Sequence, residues 1–300
     1  MKTRSCQSCG ATVQLPPEAL SATCAFCDSP LVDAEAGAEP VDRVVRFELD
    51  RDRAAAVLGK HLSRQFLAPE SLRRASRPEE LQPVLVPFYA YDATTRTRYQ
   101  AGIGIHWQRT ETYTEVEDGK TVTKTRTVTE TEWHDLAGSH VGQWFDHLVS
   151  ASRGLPEAEA NELEPFDLGR SLPWSPALAA GVGAELPTID HDAAQATARV
   201  ELRERAEAAI REAHLPGDRQ RGVQCSSEVE LEAVKLVLLP VWIAVFPGPS
   251  GPVRLLVNGQ TAEVVGTVPN DTKKLVALVA GLVLFVIGGI TLVAVLGGVL

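Results

Sequence analysis

Two closely spaced pairs of cysteines are the feature that most limits how the N-terminal region of this chain can fold. Four of its five cysteines lie in the first 27 residues, as two C-x2-C pairs. Two such pairs can place four thiolates tetrahedrally around one Zn2+. Two disulfides or unmodified thiols are the alternatives, but the sequence starts without the apolar segment of a secretory signal, and disulfides are uncommon in a reducing cytosol. We therefore predict a zinc ribbon over residues 1–34, with one Zn2+ on Cys6, Cys9, Cys24 and Cys27.

The same pattern limits what the metal can do. Four thiolates fill the coordination sphere of Zn2+ and leave no position for a reacting water, so this metal would be structural. Residues 1–34 contain two cations against three anions, and the whole chain carries a net charge of −10. Nucleic-acid affinity comes mainly from Lys and Arg. We therefore expect a protein partner and treat nucleic acid as the less favoured alternative.

The sequence between residues 35 and 271 predicts a linker followed by one domain. Residues 35–42 are small and acidic, which is typical of a linker. Within 43–271, apolar runs that suit strands alternate with two segments of helical period. These segments begin at Asp50 or Asp52 and at Asp190. Together the patterns predict a mixed α+β domain with an antiparallel sheet.

A long hairpin is the most regular feature of this domain. Two polar stretches, 105–117 and 120–133, flank an Asp-Gly dipeptide, which is favoured in a type I′ turn. Pairing through that turn places Glu111 opposite Arg126. Threonine occupies one face and mixed charges the other, so neither face has the composition of a core. We predict an arm that projects into solvent, either as a solvated hairpin or as a surface that pairs with a partner or a second copy.

The usual catalytic motifs are missing from the sequence. It contains no G-x-S-x-G, no phosphate-binding loop and no H-E-x-x-H. Asp190-His191-Asp192 is better explained as the acidic start of a helix than as a metal site. Cys225 stands alone in a polar stretch and is expected to be an incidental thiol. We therefore predict a protein that is not an enzyme and has no catalytic residues, with an enzyme that lacks a recognisable motif as the alternative.

The last segment of the sequence is strongly apolar. Residues 275–300 contain no charged side chain, and about 20 apolar residues are enough to span a bilayer. Lys273 and Lys274 precede this run, and positively charged flanks stay on the cytoplasmic side. We predict a transmembrane helix at 275–297, with the protein in the cytoplasmic membrane as a single-pass chain and its N-terminal bulk in the cytoplasm.

The order of these parts resembles a known family. The residues that carry the resemblance are the two C-x2-C pairs, the strands Leu85–Asp92 and Leu238–Trp242, and Val257–Thr261 followed by Gly266–Pro269. The chain is similar to bacterial membrane proteins with an N-terminal transcription factor IIB-type zinc ribbon, some of which are labelled as relatives of the primosomal protein N′ helicase. The helicase label has no support in the sequence, since the nucleotide-binding loop is missing. The resemblance implies a role in envelope stress, in which a tethered protein recruits a phage-shock-protein-A-like coat protein.

The sequence as a whole predicts a membrane-anchored adaptor that is not an enzyme. Its expected partners are the membrane lipid bilayer and a cytoplasmic or membrane protein, and its expected cofactor is one structural Zn2+. A membrane-tethered regulator that binds nucleic acid is one alternative, and an enzyme without a recognisable motif is the other. Basic side chains beside the cysteines would favour the first alternative, and a deep pocket with converging polar groups would favour the second.

Overall fold

The computed structural model describes residues 2–6, 10, 12–15, 19–24, 30–32, 40–69, 72, 81–117, 120–248, 251–272, 274–275 and 280. Over this part of the chain, most residues lie in strands. The strands are β1 (Lys2–Ser5), β2 (Thr12–Leu15), β3 (Ala19–Thr23), β4 (Pro30–Val32), β5 (Arg43–Val44), β6 (Leu81–Glu117), β7 (Lys120–Ser150), β8 (Leu172–Pro173), β9 (Gly183–Glu185), β10 (Arg219–Gly248), β11 (Gly251–Asn258) and β12 (Val264–Val265). The α-helices are α1 (Arg51–Arg64), α2 (Glu157–Leu163) and α3 (His191–Ala213).

The chain divides into two compact units. Unit 1 consists of Met1–Phe88, Ser150–Asp190 and Leu236–Leu300. Unit 2 consists of Tyr89–Val149 and His191–Lys235. Each unit has its own hydrophobic cluster, so the two are described one after the other.

Helix α1 packs on the sheet of unit 1. Asp50 caps the helix, because its side chain accepts a hydrogen bond from the backbone N–H of Arg53 at 2.8 Å. Leu58 and Leu62 are fully buried in a cluster with Trp242, and burial of each leucine contributes about 1.5–3 kcal/mol. The predicted helix start is confirmed.

The N-terminal region forms two hairpins. Strands β1 and β2 pair antiparallel, and so do β3 and β4. Strand β3 also pairs antiparallel with β9, which itself runs parallel to β6. The second hairpin is therefore an extension of the sheet of unit 1.

Asn258 has a different role from the one that its Asn-Gly dipeptide suggests. An Asn-Gly dipeptide such as Asn258-Gly259 is typical of a two-residue turn, but Val257 pairs with Val264, and the five residues 259–263 connect β11 to β12. Asn258 is fully buried, and its side-chain amide donates to the carbonyl oxygens of Leu163 at 2.8 Å and Pro165 at 3.0 Å. Its Oδ1 accepts from two backbone N–H groups of the same loop, those of residues 260 and 261. This side chain therefore ties the loop after β11 to the loop after α2.

Asn258→Ala should destabilise the protein by about 2–4 kcal/mol. The substitution leaves the buried carbonyl of Leu163 and the buried backbone N–H of Gln260 without these partners, and each unsatisfied buried group costs about 1–3 kcal/mol. Urea unfolding measures the change, and Gln143→Ala, at an exposed position, is the control. A loss below about 1 kcal/mol for the Asn258 variant would show that the side chain does not hold these loops.

Unit 2 is a three-stranded sheet with α3 against one face. In this unit β6 lies between β7 and β10. Every fourth residue of α3 is buried along one stripe, and the small alanines in it allow close approach to the sheet. The buried residues are Ala194, Ala198, Leu202, Ala206 and Ile210. Ile210 packs with Ala101 and Ile103 of β6, so the odd-numbered positions of β6 face the helix.

The predicted hairpin arm is confirmed and longer than expected. Strand β6 ends at Glu117 and β7 begins at Lys120, on either side of the Asp-Gly dipeptide, which lies outside the described residues. Arg126 donates to Glu111 at 3.0 Å, as the predicted pairing requires. Most of the arm is exposed on both faces. The arm therefore contributes little to the core of unit 2.

Replacing Tyr113–Lys124 by a two-residue turn should leave the stability of the protein nearly unchanged. The deleted side chains are mostly exposed, and exposed substitutions usually change stability by less than about 0.5 kcal/mol. Thermal unfolding followed by circular dichroism measures the change. Loss of the cooperative transition in the shortened chain would mean that the arm belongs to the core.

The predicted fold class is wrong. We expected an α+β domain between a separate zinc ribbon and a transmembrane helix, whereas the described residues form mainly sheet, and the second cysteine hairpin joins it. Among those residues, no helix is both long and apolar enough to cross a membrane. The longest one, α3, carries several Glu and Arg residues, which are costly in hydrocarbon. Most of the predicted span at 275–297 lies outside the described residues. The predicted location, a single-pass chain in the cytoplasmic membrane, is wrong for the part of the chain that is described.

Candidate functional site

Two of the four predicted metal ligands lie in one buried cluster. Cys6 follows β1 and Cys24 follows β3, so each stands at the end of the first strand of a hairpin. Their side chains are 2% and 0% exposed and pack with Val13 and Leu31. The backbone N–H of Gly10, which has a φ of +75°, donates to the carbonyl of Cys6 at 2.8 Å. The folding of the two hairpins therefore brings the first cysteine of each pair into the same small core.

The described structure nevertheless contains no zinc ribbon. Within the part of the chain that it describes, no group of three or more His, Cys, Asp or Glu could hold a metal. This finding corrects the zinc ribbon as an element of the fold. Cys9 and Cys27 lie outside the described residues. The assignment of one Zn2+ to the four cysteines therefore stays a prediction, with two buried thiols in one cluster in its favour.

Elemental analysis of the purified chain should find one zinc per molecule, and Cys24→Ser should remove it. The reason is that a serine hydroxyl is a much weaker ligand for Zn2+ than a thiolate. Cys225→Ser is the matched control, since Cys225 lies in unit 2, and it should leave the metal content unchanged. Metal-free protein in which the amide of Val13 stays protected from hydrogen exchange would contradict the prediction.

The second candidate site is a trough on the face of the unit 2 sheet that points away from α3. Two adjoining hollows, of about 600 and 640 Å3, share Gln100 and Ala137. All three strands contribute side chains to them. The lining residues include Arg98, Gln100 and Gly102 of β6, Asp135, Ala137 and Ser139 of β7, and Arg221, Gln224 and Ser226 of β10. We call this surface the trough.

Small side chains make the floor of the trough low. Gly102, Ala137 and Ser139 occupy positions where most strands of this kind carry larger residues. A Cβ atom at Gly102 would lie 2.9 Å from Cγ of Arg221, so the glycine lets this arginine lie across the sheet. The guanidinium of Arg221 in turn stacks on the ring of Trp133 at 4.1 Å from its centroid. These contacts fix one end of the trough.

Hydrogen-bonding groups line the walls of the trough. The side-chain amide of Gln100 donates to Oε1 of Gln224 at 2.6 Å, which fixes both amides across β6 and β10. The Gln100 carbonyl oxygen and the Gln224 amide then have hydrogen-bonding capacity left for a ligand, and Ser139 and Ser226 add hydroxyl groups. The side chains of the trough can therefore donate hydrogen bonds to neutral groups of a ligand and accept hydrogen bonds from them.

The charges around the trough are of both signs. Arg98 lies 3.6 Å from Glu228, and Arg96 beside it donates to Glu230 at 2.8 Å. The hydrogen bond that the Arg96 guanidinium donates to Glu230 raises the pKa of this guanidinium, which stays charged. Since these arginines lie beside carboxylates, the surface does not present the basic stripe that a nucleic-acid site needs.

Cys225 contributes to the trough without the properties of a nucleophile. Cys225 borders the trough, and it also packs against the hydrophobic cluster that contains Ile103 and Ile210. Burial raises the pKa of the Cys225 thiol, Glu207 raises it further, and Arg211 opposes the shift. A raised pKa leaves less thiolate at neutral pH, and the thiolate is the reactive form. The expectation of an incidental thiol stays a prediction that this environment favours.

One wall of the trough comes from a strand that is not among the elements predicted from the sequence. We assigned no structure to residues 219–236, which form the first part of β10. The sequence there alternates Gln224, Ser226, Glu228, Glu230 and Glu232 with less polar residues, a period of two that predicts a strand with one open face. This alternation was the available signal.

Comparison with known proteins gives no relative for this chain. No protein-family model, no curated protein and no solved structure matches it. The resemblance to zinc-ribbon membrane proteins therefore stays a prediction, and the function has to be inferred from the geometry of the trough and the arm.

Proposed function

We propose that this chain is a non-enzymatic adaptor that binds a protein partner, and that an extended segment of the partner lies in the trough. The observation that carries this proposal is the pairing of a low floor with two fixed glutamine amides, Gln100 and Gln224. Peptide groups offer one donor and one acceptor per residue, which is the same chemistry as a side-chain amide.

The size of the trough supports an extended segment. Its residues on β6 run from Arg98 to Gly102, which at about 3.3 Å per residue is roughly 16 Å. A strand of about five residues fits this length.

The charge distribution supports a protein over a nucleic acid. The chain has a net charge of −10, and the arginines at the trough lie beside Glu228 and Glu230 or stack on Trp133. A strand of nucleic acid would bring a phosphate at every nucleotide against these carboxylates. The resemblance described above names the class of partner to test first, which is a phage-shock-protein-A-like coat protein, and a role in envelope stress rests on that resemblance alone.

The double variant Gln100→Ala/Gln224→Ala should weaken binding of the purified coat protein at least tenfold. It removes both fixed amides and leaves the backbone of β6 and β10 in place. Gln143→Ala, an exposed glutamine outside the trough, is the matched control and should bind as the wild-type chain does. Isothermal titration calorimetry with each full-length variant measures the dissociation constants.

Two results of this experiment would count against the proposal. Equal loss of affinity in the Gln143 variant and the double variant would show that the trough is not the contact. The binding of labelled duplex DNA and of single-stranded RNA is measured at about 150 mM salt. If either binds more tightly than the coat protein, the result favours the nucleic-acid alternative.

A further inference from the structure

The two faces of the hairpin arm differ sharply in charge. One face combines the odd-numbered positions of β6 with the even-numbered positions of β7, and we call it the charged face. It carries Arg109, Glu111, Glu115, Glu117, Lys120, Lys124, Arg126, Glu130 and Glu132. We call the opposite face the threonine face. It combines the even-numbered positions 108–116 of β6 with the odd-numbered positions 121–133 of β7, and none of these residues is charged. It carries Thr110, Thr112, Thr114, Thr121, Thr123, Thr125, Thr127, Thr129 and Thr131.

The charged face is engaged in contacts within the arm. Arg109 lies 2.9 Å from Glu130, and Arg126 lies 3.0 Å from Glu111 and 5.6 Å from the ring of Tyr113. Lys124 donates hydrogen bonds to Glu117 and Glu115 of β6. These bonds raise the pKa of the Lys124 ammonium group, which stays charged. These cross-strand ion pairs favour one register of the two strands, and all of them lie on the charged face.

The threonine face is the more open of the two. On β7, Thr123, Thr125 and Thr127 are exposed, whereas Val122 and Lys124 on the other face are half-buried. Each threonine presents a methyl group and a hydroxyl that can both donate and accept, at a spacing of about 6.6 Å along the strand. The result is a regular and uncharged strip.

A second copy of the same strip is the partner that fits these properties best. An isologous contact brings a surface against itself, so any net charge would repel, and the threonine face has none. Hydroxyl groups complement one another because each is both donor and acceptor. The repeat along the strand is identical in both copies, so methyl rows of one strip can lie between those of the other.

The area of the strip sets the expected strength. About 13 residues per strand at about 3.3 Å give roughly 43 Å of length, and two strands give about 10 Å of width. Two copies would then bury about 860 Å2 together, which is below the 1,200–2,000 Å2 typical of stable interfaces. Any association should therefore be weak and dependent on concentration.

We propose that the threonine face is the interface of a weak homodimer, in which two arms pack face to face about a two-fold axis. The interface uses residues at the far end of the sheet from Gln100 and Gln224. It does not rest on the adaptor function, and the two can fail separately.

The test is sedimentation velocity of the full chain over a range of concentrations. The wild-type chain should self-associate with a dissociation constant in the micromolar range, which is typical of small interfaces. The variants Thr112→Lys/Thr125→Lys and Thr112→Glu/Thr125→Glu should each weaken self-association at least tenfold, because like charges would meet across the axis. An equimolar mixture of the two variants should restore association, since opposite charges then face one another.

Val122→Lys and Val122→Glu are the matched controls on the charged face, and they should associate like the wild-type chain. Thermal unfolding of each variant checks that the sheet is intact, and the mixed sample guards against loss of folding, because misfolded arms would not recover on mixing. A wild-type chain that stays monomeric throughout would overturn the proposal. So would charged threonine variants that associate unchanged, or Val122 variants that lose association to the same degree.

Discussion

The position of β6 between β7 and β10 is the constraint on which unit 2 depends. Both edges of this strand are paired, so its backbone cannot shift without breaking two ladders. The side-chain contacts confirm the alignment, since Arg96 meets Glu230 on one side and Thr95 accepts from the indole of Trp144 on the other. Because β6 cannot shift, its alternate residues keep to opposite faces of the sheet. Odd positions are held under α3 and even positions are presented on the open face.

The open face then changes character along its length because its residues change while the backbone does not. Near the base, glycine and alanine at Gly102 and Ala137 leave room above the sheet, and Gln100 and Gln224 supply polar groups. Toward the tip, threonine replaces them and fills the same positions with side chains of equal size. A hollow and an uncharged strip therefore occur on the same face of β6 and β7. The hollow has the polar groups that the proposed peptide segment would meet, and the strip has the uncharged surface that the proposed dimer would use.

Local signals in the sequence predicted the local structure well. Asp50 as a helix cap, the start of α3 and the two strands that flank residues 118 and 119 each depend on a few neighbouring residues, and each occurs as expected. Asn258 did not behave as its dipeptide suggests, because its side chain is held by Leu163, about a hundred residues away in sequence. The trough could not be predicted either, since Gln100, Ala137 and Gln224 become neighbours only when three strands align. Interactions between distant residues decided both cases.

The pattern of charge on the arm also explains why a long, exposed hairpin can remain folded. An isolated two-stranded ribbon is marginally stable in water, because it buries little apolar surface. In this arm each cross-strand ion pair contributes some tenths of a kcal/mol, and the pairs follow one another from Arg109 to Glu117 along one face. Because the cross-strand ion pairs lie on that face, the opposite face carries no charge of its own. Its threonines retain high strand propensity and stay uncharged, which leaves the face open to contact with another molecule.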